Sequence, residues 1–360
     1  MAKIAMICAF PPPVSGQSLA AELLKDGLAK AGIPFFELNL AEPIESKGLL
    51  SRVWQLAIVE GKLAVLCVKH RDLIVYLQLG HGKNALIRDL FFLLTAKTFG
   101  KPCYAHVHGS GFRKAFDSLP SPVRFIEKKL IRQLNAAIVL SESLRKMFDE
   151  LLENERVFAV DNGIDEGFVR LTDEPFVARH GEVLNVLFLS NFLTAKGFSV
   201  LLRTAALAEK NHCPLHFTFV GAKIPGQDVD IDDFIHDYEL ENVTVSDVVM
   251  GKAKHEMYRN ADVFILPSVY EGQPLCILEA MFESLPVVTS KVGGIPEIFS
   301  DETGVRYVVP KSPEQILDVL CQLEGNRELL AEMGKANREL ALNRFTAKRH
   351  VARMLEIMGF

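Results

Sequence analysis

Short apolar runs alternate with longer stretches of helical period along the whole chain. In the first half, Lys3–Ala9, Pro34–Leu40, Asp72–Leu77, Pro102–Val107, Ala136–Leu140 and Arg156–Val160 read as strands. Helical patterns separate most of them: Ser18–Ala31, with Ser18 as N-cap, then Leu49–His70, Ala85–Phe99, Phe112–Leu134 and Glu142–Leu152. Pro120 and Pro122 should break the fourth of these. Around Asp161–Gly181 the pattern lapses into Asn-Gly, Asp and Pro punctuation, which predicts a linker. The alternation then restarts with strands at Asn185–Ser190, Leu215–Val220, Asn242–Val245, Asp262–Leu266, Pro286–Thr289 and Gly304–Val308, and Phe345–Phe360 predicts a last helix. Such alternation implies parallel βαβ units covered on both faces. Two series predict an α/β chain of two Rossmann-like domains, 1–170 and 182–342, facing each other across a cleft. Ligands would lie at the carboxyl ends of the strands.

Composition adds little to this picture and charge rather more. The chain has 360 residues, 49% hydrophobic and 24% charged, an ordinary globular balance that excludes disorder and low-complexity scaffolding. The net charge of −5 makes no case for nucleic-acid binding. That total hides an asymmetry: residues 1–150 carry 20 Lys and Arg against 13 Asp and Glu, and the rest is acidic. The basic excess is densest from Arg113 to Lys146 and points to an anionic membrane surface as a further partner. No apolar run approaches the roughly 18 residues of a membrane-spanning helix. The apolar start Ile4–Phe10 is too short for a signal peptide and runs into three prolines. Six scattered cysteines without a CxxC pair fit a reduced, cytoplasmic compartment.

The segment richest in chemistry is Phe264–Met281, FILPSVYEGQPLCILEAM. A buried strand ends at Pro267, a loop follows, and Pro274 is expected as the first residue of a helix. The amides of Leu275, Cys276 and Ile277 would then lack intrahelical partners and, with the helix dipole, form an anion site suited to a diphosphate. Glu271 and Glu279 flank that site. Carboxylates repel phosphate but accept well from vicinal hydroxyls. Glu279, leaning back toward the helix start, would reach a ribose, and Glu271 would lie near whatever the diphosphate carries. The implied ligand is a nucleoside diphosphate bearing a polyol.

Glu271-Gly272-x-Pro274-Leu275-x-x-x-Glu279-Ala280-Met281 resembles the E-x(7)-E motif of retaining glycosyltransferases of the GT-B fold, family four. Asp262–Ser268 and Pro286–Glu297 are similar to that family too, as are His108-Gly109, Ser141-Glu142, Asn162–Asp165 and Lys196-Gly197. The resemblance implies that Glu279 binds the ribose diol, Glu271 binds donor-sugar hydroxyls, and the amides near Leu275 and Cys276 hold phosphate. Lys196 would neutralise the leaving diphosphate. Gly16, Asn191, Gly221, Gly272, Gln273 and Pro274 complete the expected donor site. His108 aligns with a histidine facing the donor sugar, and Ser15, Gln17 and Arg113 join it on the acceptor side. His108, Lys196 and Glu271 would be the catalytic set. The last helix would cross back to the first domain.

One departure stands out. The family usually has Arg five positions before the lysine, where this chain has Asn191, which brings no charge. Lys223 is a candidate replacement. The loop Pro11–Ser18 lacks a GxGxxG fingerprint, against an NAD enzyme. His106 reads as a core residue, and HVH alone makes no metal site. Asp228–Asp233 resembles a metal-binding D-x-D but reads as an acidic helix start. The expectation is therefore a cytoplasmic retaining glycosyltransferase needing neither cofactor nor metal. Its donor would be a nucleotide diphosphate sugar and its acceptor a saccharide or lipid-linked glycan. A GT-B epimerase or phosphorylase, and a silent nucleotide-sugar binding module favoured by Asn191, are the alternatives.

Overall fold

The computed structural model describes residues 2–12, 14–41, 48–171, 182–299 and 301–360. The chain divides into two units, Met1–Gly163 with Ala347–Phe360, and Ile164–Thr346. Each is built on a parallel six-stranded sheet.

In the first unit the strands are β1 (Lys3–Cys8), β2 (Phe35–Asn39), β3 (Leu73–Gln78), β4 (Cys103–His106), β5 (Ala136–Val139) and β6 (Val157–Ala159), in spatial order 2-1-3-4-5-6. The helices are α1 (Gly16–Lys30), α2 (Leu49–Lys69), α3 (Lys83–Thr98), α4 (Phe112–Asp117) and α5 (Ser121–Ile131). Both sheet faces are covered, so the central strands are apolar except at their ends, and their alternation sorts side chains between two cores. Ala5, Ile7, Val75 and Leu77 join the core under α2, α3 and α5. Ile4, Met6, Cys8, Ile74 and Tyr76 join the core under α1 and the last helix, α13 (Ala347–Met358). Met354 and Met358 of α13 are buried there, and Gly27 of α1 lets Val351 pack so closely that a Cβ would collide with it.

In the second unit, α6 (Glu166–Leu171) precedes β7 (Leu184–Leu189), α7 (Phe198–Lys210), β8 (Leu215–Val220), α8 (Ile231–Asp237), β9 (Val243–Ser246) and α9 (Gly251–Arg259). Then come β10 (Val263–Leu266), α10 (Leu275–Phe282), β11 (Val287–Thr289), β12 (Val305–Tyr307), α11 (Pro313–Glu324) and α12 (Arg327–Arg344). The spatial order is 12-11-10-7-8-9, the Rossmann arrangement.

Several expectations need correction. Ser15, not Ser18, is the N-cap of α1: the Ser15 hydroxyl accepts from Ser18 N (3.1 Å) and the Ser18 hydroxyl accepts from Ser15 N (2.8 Å). This reciprocal cap starts the helix earlier than apolar spacing alone indicates. Residues 142–148 form a 3₁₀ helix. Its buried Leu144, Met147 and Phe148 fit either helix type, so periodicity does not separate the two. Of the expected linker, residues 172–181 lie outside the described residues, and the preceding stretch holds α6, which packs on α9.

Glu127 of α5 is fully buried, and neither carboxyl oxygen has a hydrogen-bond partner among the described residues. Burial, with a smaller push from Asp89, raises its pKa to about 8. The folded protein thus keeps a proton that the unfolded chain releases near pH 4.3. The stability this residue contributes is full below that pH and is lost as pH rises toward about 8. Measured by urea unfolding from pH 5 to 8, the wild type should lose about 1 kcal/mol per pH unit relative to Glu127→Gln. Parallel stability curves would refute a buried neutral carboxyl.

Candidate active site

In the second sheet β7 pairs with β10, Val186 opposite Val263 and Leu187 opposite Phe264. The chain leaves β7 toward β8 on one side and β10 toward β11 on the other. The loops after these strands therefore diverge at the carboxyl edge and open a crevice, the topological switch point of an α/β sheet. Lys196 comes from the first loop and Glu271 from the second.

The two loops are tied together. Val269 N donates to Ala195 O at 2.9 Å. Lys196 Nζ donates to both Glu271 oxygens, at 2.7 and 2.8 Å, and Ser268 Oγ donates to Glu271 Oε1 at 2.7 Å. Glu271 is buried and Lys196 half-buried. Gly293, at φ +55°, rests on the Glu271 carbonyl, where any Cβ would collide. Gly294 N donates to Gly272 O at 2.9 Å, completing the clamp on this loop.

Glu279 sits in the second turn of α10, buried like Glu271. Lys254 of α9 pairs with its Oε1 at 2.5 Å, and Tyr258, one turn further on, donates to its Oε2 at 2.7 Å. Burial, and then Glu279 itself, push the Tyr258 hydroxyl well above the ordinary phenol range, so it remains a donor. Cys276 lies among all four charges, Lys196, Glu271, Glu279 and Lys254, and burial pushes its thiol up to about 12.

Pro274 is the N-cap of α10 rather than its first helical residue, and it is in extended conformation. Its carbonyl accepts from Ile277 N at 3.2 Å. The expected triplet of spare amides is therefore a pair, Leu275 and Cys276, because a capping carbonyl satisfies the third. Gln273 is buried between them and Gly272 in sequence. Gly221 stands against the Ser190 carbonyl, where a Cβ would collide, and Phe192 N donates to Ala222 O at 2.9 Å. This fixes the turn carrying Asn191, which is exposed. Lys223 is exposed and paired with Asp232, while Asp230 caps α8.

The first unit has a second group at its own switch point, between β1 and β3. Gln78 at the end of β3 accepts from Ala9 N (3.1 Å), donates to Gln17 O (2.8 Å) and lies 3.4 Å from His108 Nε2. Gln17 Nε2 is 3.3 Å from His81 Nδ1. Gly16 opens α1 with nothing within 4 Å of where a Cβ would stand. Ser15 is used as a cap, and Arg113 is bound to Asp117 and to the Asp149 carbonyl, both at 2.9 Å. His106 is fully buried, tilted against His108 (3.9 Å between centroids) and bonded to the Tyr76 hydroxyl at 2.7 Å. Burial lowers the His108 pKa to about 3, helped by His350 and His81, and lowers His106 and His350 as well. These rings are neutral hydrogen-bonding groups at physiological pH.

Lys254, Tyr258 and Ser268 were missed at the sequence level. Lys254 and Tyr258 share one face of a helix, a spacing that signals only proximity to each other. Nothing in it names Glu279 as the partner, since that contact depends on how α9 packs.

Removing one member of a buried ion pair leaves the other desolvated and alone. Lys196→Met should therefore cost about 1–3 kcal/mol by urea unfolding, with its partial exposure keeping the loss below the deep-core range. Adding Glu271→Gln should recover most of it. Strictly additive losses in that double-mutant cycle would show that the pair is not coupled.

Residues 172–340 match the family of glycosyl transferases group 1. An uncharacterized glycosyltransferase of Methanocaldococcus jannaschii is 33% identical over 159 residues, 42% of this chain and 39% of that one. A D-inositol 3-phosphate glycosyltransferase of Paenarthrobacter aurescens is 30% identical over 155 residues, 42% of this chain and 38% of its own. The matched stretch thus spans about two fifths of each of these relatives. HepE of Anabaena, crystallised with UDP, superposes with a TM-score of 0.72 over 99% of both chains at 17% identity. The architecture is accordingly α/β of the GT-B type. Over residues 172–340, just under half of its length, the chain is similar to the glycosyl transferases group 1 family.

Proposed function

We propose that this protein is a retaining glycosyltransferase of hexosyltransferase type. It moves a sugar from a nucleoside diphosphate sugar to a saccharide or lipid-linked glycan acceptor, in the assembly of cell-surface polysaccharide or glycan. The observation that carries this reading is the convergence of Lys196, Glu271 and the first turn of α10 at the switch point between β7 and β10. The D-inositol 3-phosphate glycosyltransferase activity of the Paenarthrobacter relative and the UDP held by HepE support it.

In this reading the spare amides of Leu275 and Cys276 and the positive end of α10 bind the diphosphate. Glu279, held in place by Lys254 and Tyr258, accepts from the ribose hydroxyls. Glu271, fixed by Ser268, accepts from hydroxyls of the donor sugar. Lys196 turns from Glu271 toward the phosphate as the glycosidic C–O bond breaks and negative charge gathers on the leaving group. The acceptor oxygen bonds to the anomeric carbon on the face the phosphate leaves, and its proton passes to a phosphate oxygen. The products are the glycoside and the nucleoside diphosphate. His108, neutral, offers a hydrogen bond to the sugar rather than a proton.

Charge neutralisation falls to Lys196, Lys254 and the helix, and the reaction is proposed to need no metal. The acidic run at 228–233 is otherwise engaged: Asp230 caps α8, Asp228 bonds the Thr194 hydroxyl and Asp232 pairs with Lys223. The reaction is placed at the cytoplasmic side of the membrane, and the anionic lipid surface is a proposed partner. A second reading, donor binding without turnover, rests on Asn191 bringing no charge to the crevice.

A thermal-shift screen of UDP, GDP, ADP and their sugars tests donor binding. Saturation at 100-fold over Kd should stabilise the wild type by about 2.7 kcal/mol. Glu279→Ala should abolish most of that shift, and a variant responding like the wild type would overturn the ribose assignment. With the responding donor and a glycan panel, NMR of the new linkage should show the donor's anomeric configuration. Inversion would overturn the retaining mechanism, and binding without product on any acceptor would favour the second reading.

A further inference from the structure

The helices α2, α3 and α5 form one layer over a face of the first sheet, with α3 between the other two. Together they contain three acidic residues, and all three turn inward. Asp89 is fully buried, accepts from Gly80 N at 2.7 Å and pairs with Arg88. Glu127 is fully buried. Glu60 lies in the seam between α2 and α3, bonded to the Thr95 hydroxyl, with its other oxygen shielded from water. Burial raises the pKa of each of these carboxyls.

What remains outside is cationic and apolar. Lys62, Lys69, Lys83, Lys97 and Lys129 are exposed. Along α2, Trp54, Ile58, Val65 and Val68 recur at helical spacing as one outward stripe. Phe91 and Leu94 do the same on α3, and Phe125 projects from α5. Trp54 is 70% exposed, and Val68 and Phe125 are each 71% exposed. A depression of about 610 Å³ beside the edge strand β2, walled by Phe35, Phe36, Val65 and Leu66 with Glu37 and Lys62 at its sides, continues the stripe. Single exposed apolar side chains are ordinary, but a row of them on adjoining helices marks an interaction face.

We infer that the outer face of α2, α3 and α5 seats on an anionic lipid surface. Apolar side chains framed by lysines, with no outward acid on the three helices, match a headgroup layer: the apolar groups enter the acyl boundary and the ammonium groups stay with the phosphates. Aliphatic Ile58, Val65, Val68 and Leu94 offer nothing to a phosphodiester backbone, which disfavours a nucleic acid. The membrane-side acceptor proposed above supplies the use of this surface, though not its chemistry.

Trp54 is the single tryptophan of the chain, so its emission reports directly from the face. The full chain is mixed with phosphatidylcholine vesicles, with or without 30% phosphatidylglycerol. The anionic vesicles should shift Trp54 emission to the blue and float the protein, and the neutral ones should do neither. Lys62→Glu with Lys69→Glu, and separately Phe125→Ser with Val68→Ser, should each weaken flotation at least tenfold. Both variants change exposed positions, and unchanged melting curves confirm that they are folded. No blue shift, or flotation indifferent to the apolar variant, would overturn the proposal. Heparin binding that equals vesicle binding and ignores Phe125 and Val68 would also overturn it. Nucleotide-induced stabilisation is measured on the same samples. Vesicle binding without it would sink the transferase reading and spare the surface, and the converse result would sink the surface alone.

Discussion

A carboxylate withdrawn from water costs several kcal/mol unless a partner meets it, and the second unit is organised around meeting two of them. Glu271 and Glu279 are both buried beside the first turn of α10, and each is matched by a lysine from a different element. The β7 loop supplies Lys196 and α9 supplies Lys254. Three segments, the β7 loop, α9 and the stretch from Glu271 to Glu279, are thereby locked into one geometry. The glycine clamp at Gly293 and Gly294, the Val269–Ala195 bond and the Tyr258 hydroxyl are auxiliary to those pairings, because each restrains a residue that makes one.

The first unit handles polarity at its sheet edge by the opposite route. His106, His108 and His350 are brought close in a dry environment, and none has a carboxylate partner among the contacts described. Burial keeps them neutral. Together with Gln17 and Gln78 they offer amide and imidazole groups, which suit hydroxyls, whereas the charge-rich crevice of the second unit suits a diphosphate.

Strands were the most legible part of the sequence. In a parallel sheet covered on both faces, a run such as Val263–Leu266 is apolar at every position and ends at a proline, which leaves little room for another reading. Helix ends were less legible where the cap is made by side chains. Ser15 and Ser18 share a reciprocal cap, so apolar spacing alone starts α1 too late. Pro274 fits both the N-cap and the first helical turn on residue preference. Glu271, Glu279 and Lys196 were visible because a short, fixed spacing ties two of them to one helix start. Their partners Lys254 and Tyr258 were invisible, since the register of α9 against α10 is a property of packing and not of local sequence.

Charge counting shows the same limit in another form. Residues 1–150 are basic by simple count, but that count treats Glu60, Asp89 and Glu127 as if they faced water. The structure turns all three inward, where burial favours the protonated form. It also binds Arg113 to Asp117 and Arg145 to Glu142 within the stretch where basic residues are densest. The outward charge is therefore carried in part by Lys62, Lys69, Lys83 and Lys97 of α2 and α3, outside that stretch, beside Lys129 of α5 within it. The same desolvation that demands lysine partners in the second unit accompanies the withdrawal of these carboxyls from the outer surface of this layer of the first. One rule of carboxyl burial thus produces a neutralised crevice in one unit and an unopposed cationic face in the other.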